Sequence, residues 1–447
     1  MDTDQGRRAV AKAARRFVPF LTLCYIVASL DRVNISFAAP TMSKDLALNA
    51  TLYGWAAGIF FLTYTVCEVP SNLMLVRFGA RRWIARIMIT WGILSALTAL
   101  ASGPTSLIVL RFLLGAAEAG FFPGIIVFMA HWFPNEYRGR MTAAFLLAVP
   151  LSNGLGAIVS APFLAMDGFL GLHGWQWLFI AEGIPAAVLG VIVFFFLVDS
   201  PEKASWLSAD EKQWLRAKLD AEVKQAAHGR KTFLQAVTDG RVLGLSAIWL
   251  LRTICLYGVT FFLPQMIEQS QSLASVVAIA IPSTVGALVM LLWARSSDRM
   301  RERRWHLVVA FLAIIVGFLG MAHNDSLPSA VFFLSLAAIG YSAVAPCLWA
   351  IPPTFLSGSA AAGGVAFINA IGYCGGLLGP VIVGWTKDQS GSFQSGFYAL
   401  AAVALIGMIL TYLTVPGRGR QTSAIPSSLG KEQVTGWRWR VRSKLPT

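Results

Sequence analysis

Charge is scarce in this chain. Only 13% of its 447 residues are Asp, Glu, Lys or Arg, against roughly 25% in an ordinary soluble domain. That shortage argues against a water-soluble protein. Catalytic signatures are missing as well. There is no Gly-x-x-x-x-Gly-Lys, no His-Glu-x-x-His and no Gly-x-Ser-x-Gly on a plausible turn, so a membrane enzyme is not expected. Cysteine is sparse: Cys24, Cys67, Cys255, Cys347 and Cys374 all lie in apolar segments. None forms Cys-x-x-Cys or has a His at ligand spacing, which argues against a disulfide framework and a zinc site. No cofactor is expected. Acids are the rarer charge, 22 against 36 basic residues, giving +14 overall. A nucleic-acid partner is not implied, because the basic residues cluster in alternate loops rather than on one helix face.

What the chain has in abundance is apolar sequence. The hydrophobic fraction is 56% and the mean hydropathy +0.64. Apolar segments fall near 17–38, 52–75, 83–102, 105–130, 140–163 and 175–198, then near 242–266, 273–294, 305–322, 328–350, 360–384 and 392–415. Each approaches the ~20 residues needed to cross a hydrocarbon core. The reading is an all-α membrane protein of twelve transmembrane helices in two six-helix bundles. Its expected parts are a tail at 1–16, a bundle at 17–198, a polar amphipathic linker at 199–241, a bundle at 242–415 and a basic tail at 416–447. The first apolar run is long and lacks a small-residue cleavage site, so it reads as a retained helix.

Lys and Arg alternate between the loops. One side collects Arg7, Arg8, Lys12, Arg15 and Arg16; Arg77, Arg81, Arg82 and Arg86; Arg138 and Arg140. The linker basics Lys203, Lys212, Arg216, Lys218 and Lys224 join them, with Arg295, Arg299, Arg301, Arg303, Arg304 and the C-terminal tail. The other side has Lys44 and Lys387. Both termini are therefore expected in the cytoplasm. The halves are weakly alike: Val76-Arg77-Phe78-Gly79-Ala80-Arg81-Arg82 corresponds to Ser297-Asp298-Arg299-Met300-Arg301-Glu302-Arg303-Arg304. Duplicated bundles suit a transporter that rocks about a midplane site.

Charged residues inside apolar helices are costly, so each needs a partner or a hydrated surrounding. Asp31, Arg32, Arg111, Glu118 and Arg252 stand out. At the helical rise, Asp31 and Arg32 lie ~20 Å from the cytoplasmic face and Arg111 ~9 Å below the outer one, nearly the same height. Glu118 follows two turns after Arg111, ~10 Å deeper, and Arg252 sits ~15 Å into the seventh helix. Arginine forks suit a carboxylate cargo. Acids between burial and a neighbouring arginine suit proton loading and release. The competing explanation is that Asp31–Arg111 or Glu118–Arg32 pair only to neutralise each other.

Polar neighbours complete the picture. Asn34 is one turn from Asp31, and Tyr64 and Glu68 share a face. Asn369 sits in a Gly-rich eleventh helix whose glycines favour close packing. Trp349 either stacks on cargo or packs. Glu182 has no evident partner, and His131 and His173 fall at helix ends. The tail run Trp437-Arg438-Trp439-Arg440 is basic and aromatic enough to touch anionic lipid, or else is solvated.

These residues sit in recognisable surroundings. Leu30-Asp31-Arg32-Val33-Asn34-Ile35 resembles the anion:cation symporter family of the major facilitator superfamily. So do Glu68-Val69-Pro70-Ser71-Asn72, Gly79-Ala80-Arg81-Arg82-Trp83-Ile84-Ala85-Arg86, Arg111-Phe112-Leu113-Leu114-Gly115 and Glu118-Ala119-Gly120-Phe121-Phe122-Pro123-Gly124. Trp132-Phe133-Pro134, Asp199-Ser200-Pro201, Trp206-Leu207-Ser208, Leu263-Pro264-Gln265, Ser297-Asp298-Arg299 and Glu302-Arg303-Arg304-Trp305-His306 extend the resemblance to nearly the whole chain apart from the tails. The resemblance implies alternating access and, in bacterial members, proton-coupled uptake of a small organic anion; a bacterial inner membrane and a monomer are expected. It assigns Asp31 and Glu118 to proton binding, Arg32 to the substrate carboxylate, Arg111 to the fourth-helix arginine, and Tyr64 and Asn369 to substrate contact. Tartrate, phthalate and hydroxyphenylacetate carriers are the most similar subgroups, then sugar-acid carriers. Two departures stand out: the first-half loop has Val76 where the superfamily usually has an acid, and Ser29 replaces the tyrosine of some sugar-acid carriers. Arg252 is not expected from the family and suggests a grip on a second carboxylate. A channel, a nutrient sensor and a facilitator-type exporter are the rival classes; three buried arginines disfavour cationic cargo.

Overall fold

The computed structural model describes residues 4–146, 148–226, 237–267, 273–323, 326–356 and 358–417. The basic tail, with Trp437-Arg438-Trp439-Arg440, lies outside them. Among the described residues all regular structure is helical. The first half comprises α1 (Asp4–Asp45), α2 (Ala50–Phe78), α3 (Ala80–Leu97), α4 (Pro104–Glu118), α5 (Phe121–Trp132), α6 (Asn135–Leu146), α7 (Ala148–Leu164) and α8 (Gly174–Phe196). A connecting helix α9 (Ala209–Ala226) follows. The second half comprises α10 (Gly240–Ile267), α11 (Leu273–Met300), α12 (Arg304–Ala322), α13 (Leu327–Trp349), α14 (Gly358–Tyr373), α15 (Gly375–Ser390) and α16 (Phe393–Thr414).

Among the described residues, ten helical stretches are long and apolar enough to cross a membrane. The other two expected segments, near 140–163 and 273–294, coincide with α6–α7 and α11. Large apolar side chains face outward, Phe195 at 77% and Leu413 at 73% exposure among them. A belt of that kind belongs in lipid rather than water.

The duplication read from one loop pair is visible throughout the packing. In the first half α2 packs on α4, α3 on α8, and α1 on α7 and α8. In the second half α11 packs on α13, α12 on α16, and α10 on α14, α15 and α16. With no aqueous driving force between helices in lipid, small residues let backbones approach. At Gly183 of α8 an added Cβ would lie 2.6 Å from the Gly92 carbonyl oxygen of α3.

The matching loops also share a device. Glu302 caps α12, accepting the Trp305 amide at 2.8 Å and the His306 amide at 3.2 Å. Burial pushes its carboxyl up, but those amides and the His306 ring outweigh it and hold it below the ordinary value. The first-half loop has no acid of its own there. Asp199, which follows α8, supplies one by accepting the Arg81 amide at 2.8 Å, just past Gly79 with φ +86°.

Three boundaries differ from expectation. Residues 4–16, read as a tail, continue α1, and Ala9 and Ala13 are fully buried. Within the 199–241 linker, α9 is docked on the first half. Lys12–Glu211 closes at 2.8 Å, Lys218–Glu136 at 2.8 Å and Arg138–Glu222 at 3.1 Å, and Trp206 stacks on Trp132. The fourth apolar segment is broken between α4 and α5. Ala119 there is extended (ψ 132°), and Gly120 is left-handed at φ +86°, which glycine adopts without strain.

The halves meet along α2 and α15. A Cβ on Gly54 would be 2.5 Å from the Pro380 carbonyl, and one on Gly384 2.2 Å from that of Ala50. Asp388 caps α2 from across the seam, accepting the Ala50 amide at 3.1 Å and the Thr51 amide at 2.8 Å. Tyr53 donates to the Phe261 carbonyl at 2.7 Å.

Candidate anion and proton site

The break after α4 positions the centre of the site. Glu118 is the last residue of α4 and fully buried. Ser71 of α2 donates to the freed Ala119 carbonyl at 2.6 Å and accepts from the Trp83 indole at 3.0 Å. A Cβ on Gly120 would lie 2.4 Å from the Ser71 hydroxyl, so the turn and its hydrogen bond come as a unit. The break fixes the Glu118 carboxyl against α1. There Arg32 reaches it with Nε at 2.7 Å and Nη2 at 2.6 Å, both to Oε1. The Arg32 guanidinium also lies over the Tyr64 ring, 5.2 Å from its centroid.

Asp31, on the neighbouring position of α1, is fully buried. It accepts from the Ser95 hydroxyl of α3 and from Asn34 Nδ2 at 3.1 Å. Arg111 of α4 is equally buried and lies over Phe60 at 5.1 Å. Its charge faces Asp31 and Glu118. None of its three guanidinium nitrogens has a hydrogen-bond partner among the described residues. Two acids and two arginines balance in charge. The two pairings weighed from sequence divide: Glu118–Arg32 closes, whereas Asp31 hydrogen-bonds to Ser95 and Asn34, not to Arg111.

The second half contributes an aromatic layer. Tyr373 lies 5.7 Å from Tyr64 between ring centroids, and Tyr257 4.4 Å from Phe61. Both tyrosines are within electrostatic reach of Arg32 and of Arg252. Arg252 of α10 donates Nε to the Tyr341 carbonyl at 2.7 Å and lies over Trp249 at 4.6 Å. Its Nε is thus committed to holding the side chain in place. Trp349 meets Trp249 edge-on at 5.2 Å, so it supports the platform under Arg252. Asn369 is half-buried on α14, four residues before Tyr373 and hence on its face.

Asp31, Arg32, Asn34, Tyr64, Arg111 and Glu118 therefore come together, with Arg252 and Trp349 behind the tyrosines. Tyr257 and Tyr373 were not anticipated. The spacing of Tyr373 from Asn369 was a usable signal for one of them; Tyr257 carried none.

Comparison with known proteins gives a consistent result. The family model described as Major Facilitator Superfamily matches residues 21–372 and 279–444. A putative tartrate transporter of Agrobacterium vitis is 46% identical over 432 residues, 95% of this chain and 99% of the relative. A quinolone resistance transporter of Acinetobacter baumannii is 39% identical over 419 residues, 91% of this chain and 94% of the relative. Among solved structures, a bacterial homologue of the human lysosomal transporter Spinster, inward-facing and occupied, superposes with a TM-score of 0.75. It is 16% identical and covers 90% of this chain and 97% of its own.

Proposed function

The chain belongs to the Major Facilitator Superfamily, and on that premise we propose that it imports a small organic anion together with protons by alternating access. The buried Arg32–Glu118 pair carries this reading. Glu118 takes the Nε donor and lies 2.6 Å from Nη2, the positions an incoming carboxylate would take. A proton on Glu118 cancels the charge that holds Arg32, and the freed fork then grips cargo bidentately. Anion and proton thus load together, because either alone leaves a buried charge unbalanced. Asp31 is the second proton-binding acid, and Arg111 its counter-charge. Tyr64 and Asn369 flank the cargo. We place the protein as a monomer in a bacterial inner membrane, both termini cytoplasmic, with the α2–α3 end on that side.

The likeness to a putative tartrate transporter supports a carboxylate cargo. The test is uptake by purified protein in proteoliposomes, acidic outside, screened over tartrate, phthalate, a sugar acid and an aromatic acid. At least one is expected to accumulate above equilibrium and to leak back when the proton gradient is collapsed. Equilibration that ignores the gradient would refute coupling. The resemblance to a quinolone resistance transporter favours export as the second reading; the direction of movement under the same gradient separates the two.

Arg252 is the proposed grip on a second carboxylate. Arg252→Ala is expected to slow tartrate uptake roughly thirtyfold or more, at about 2–5 kcal/mol for truncating one partner of a desolvated charge pair. Monocarboxylate uptake should be spared. Equal loss on both cargo classes removes this role.

A further inference from the structure

Glu182 is a buried acid that the anion site leaves unused. It lies on α8 at 5% exposure. Its place is fixed by Gly183, where an added Cβ would be 2.5 Å from the Ala96 amide nitrogen of α3. Ser160 of α7 donates to its Oε1 at 3.4 Å. From α1 it is faced by Asn34 and Asp31. From α3, Gly92 and Ala96 bring no charge. Among the described residues no cation faces Glu182; the Arg111 charge reaches Asp31 from α4 instead.

The orphaned atoms of this region form a set. Glu182 Oε2, Asp31 Oδ2 and Asn34 Oδ1 are all buried without a hydrogen-bond partner among the described residues. All three are acceptors; the Asn34 amide donates to Asp31 Oδ1 and also faces Glu182, and the buried Trp91 indole of α3 faces Asp31. Two ionised carboxyls would bring a second negative charge with one arginine to balance it. A single proton on one carboxyl supplies a donor and removes one charge.

We propose that Asp31 and Glu182 hold one proton between them beside Asn34, with Glu182 as its entry point and Asp31 as its exit toward Arg111. In the transfer the O–H bond at Glu182 Oε2 breaks, the O–H bond at Asp31 Oδ2 forms, and the negative charge moves to Glu182. Position along the helices sets the order. Glu182 lies about 12 Å from the Gly174 end of α8, and Asp31 about 21 Å from the Asp45 end of α1. The Asp45 carboxylate accepts the Trp175 indole at 2.7 Å, so those ends lie together on one side of the bundle. A proton arriving there meets Glu182 first.

The inference rests on the proton-coupled reading above, and the experiment separates the two. Infrared difference spectra of wild type and Glu182→Gln in lipid, without substrate, read the proton directly. A protonated-carboxyl C=O band is expected in wild type and absent from the variant. In proteoliposomes, Glu182→Gln should lower proton-driven tartrate accumulation about tenfold and keep tartrate exchange at matched pH within about twofold, the scale of a coupling free energy between two sites. Glu182→Asp should restore part of the accumulation. An unchanged band, or accumulation equal to wild type, overturns the proposal. So does joint loss of exchange and accumulation that Glu182→Asp does not relieve, since a structural role produces that pattern. If wild type accumulates none of the four screened anions, the coupled reading falls, and the band still decides whether Glu182 holds a proton.

Discussion

Arg32→Lys is expected to leave a folded protein that hardly transports. The ammonium keeps a positive charge near Glu118, so the buried acid stays balanced. It loses the planar fork that now places Nε and Nη2 on a single carboxyl oxygen, 2.7 and 2.6 Å away. Two charge-assisted hydrogen bonds to cargo, at about 1.5–3 kcal/mol each, correspond to a fall in uptake of a hundredfold or more. Arg32→Ala should do worse, because it strands Glu118 as an unpaired buried charge at a cost of about 3–5 kcal/mol. That second variant is expected to lose thermal stability in detergent as well as uptake. The pair of measurements separates grip from folding. Near wild-type uptake by Arg32→Lys would show that the arginine serves only to neutralise Glu118.

Asp31→Asn and Glu118→Gln should split coupling from transport. Each pH unit of gradient supplies about 1.4 kcal/mol per proton, a tenfold accumulation. Glu118→Gln imitates the protonated acid. Its amide no longer competes for Arg32, so cargo binding and exchange between preloaded and external pools should persist. Net accumulation under an inward proton gradient should fall to the equilibrium ratio. Asp31→Asn keeps partners for Ser95 and Asn34 but removes the charge facing Arg111. It should abolish accumulation and also weaken exchange. The double variant accumulating like wild type would rule out both acids as the proton carriers.

Much of this arrangement was legible before any coordinates. Apolar run lengths gave the spans, and the cost of charge in lipid picked out Asp31, Arg32, Arg111 and Glu118; helical rise placed the first three near one height and Glu118 about 10 Å deeper. Periodicity reports which face a residue occupies and not what stands opposite. Tyr257, Tyr373 and the choice of Glu118 over Asp31 as hydrogen-bonded partner of an arginine were hidden for that reason. The break after Glu118 depends on one glycine's φ of +86° and on Ser71, forty-eight residues away in sequence. Asp199 capping α3 is separated from Arg81 by a hundred and eighteen residues. Contacts of that range leave no local trace in composition. Glu182 did leave one, being an acid in an apolar run, but its neighbours come from α1 and α7.

The glycine seam between α2 and α15 constrains how the molecule moves. From Gly384 to Leu377 the two backbones approach closely over about 10 Å, with carbonyls and Cα atoms where side chains would otherwise cushion the contact. Interdigitated side chains can yield one at a time; abutting main chains have no such slack. The seam with its Asp388 cap therefore either stays shut or parts as a whole. Under the alternating access proposed above, prising it open would swing each bundle as a stiff lever on the tyrosine layer below.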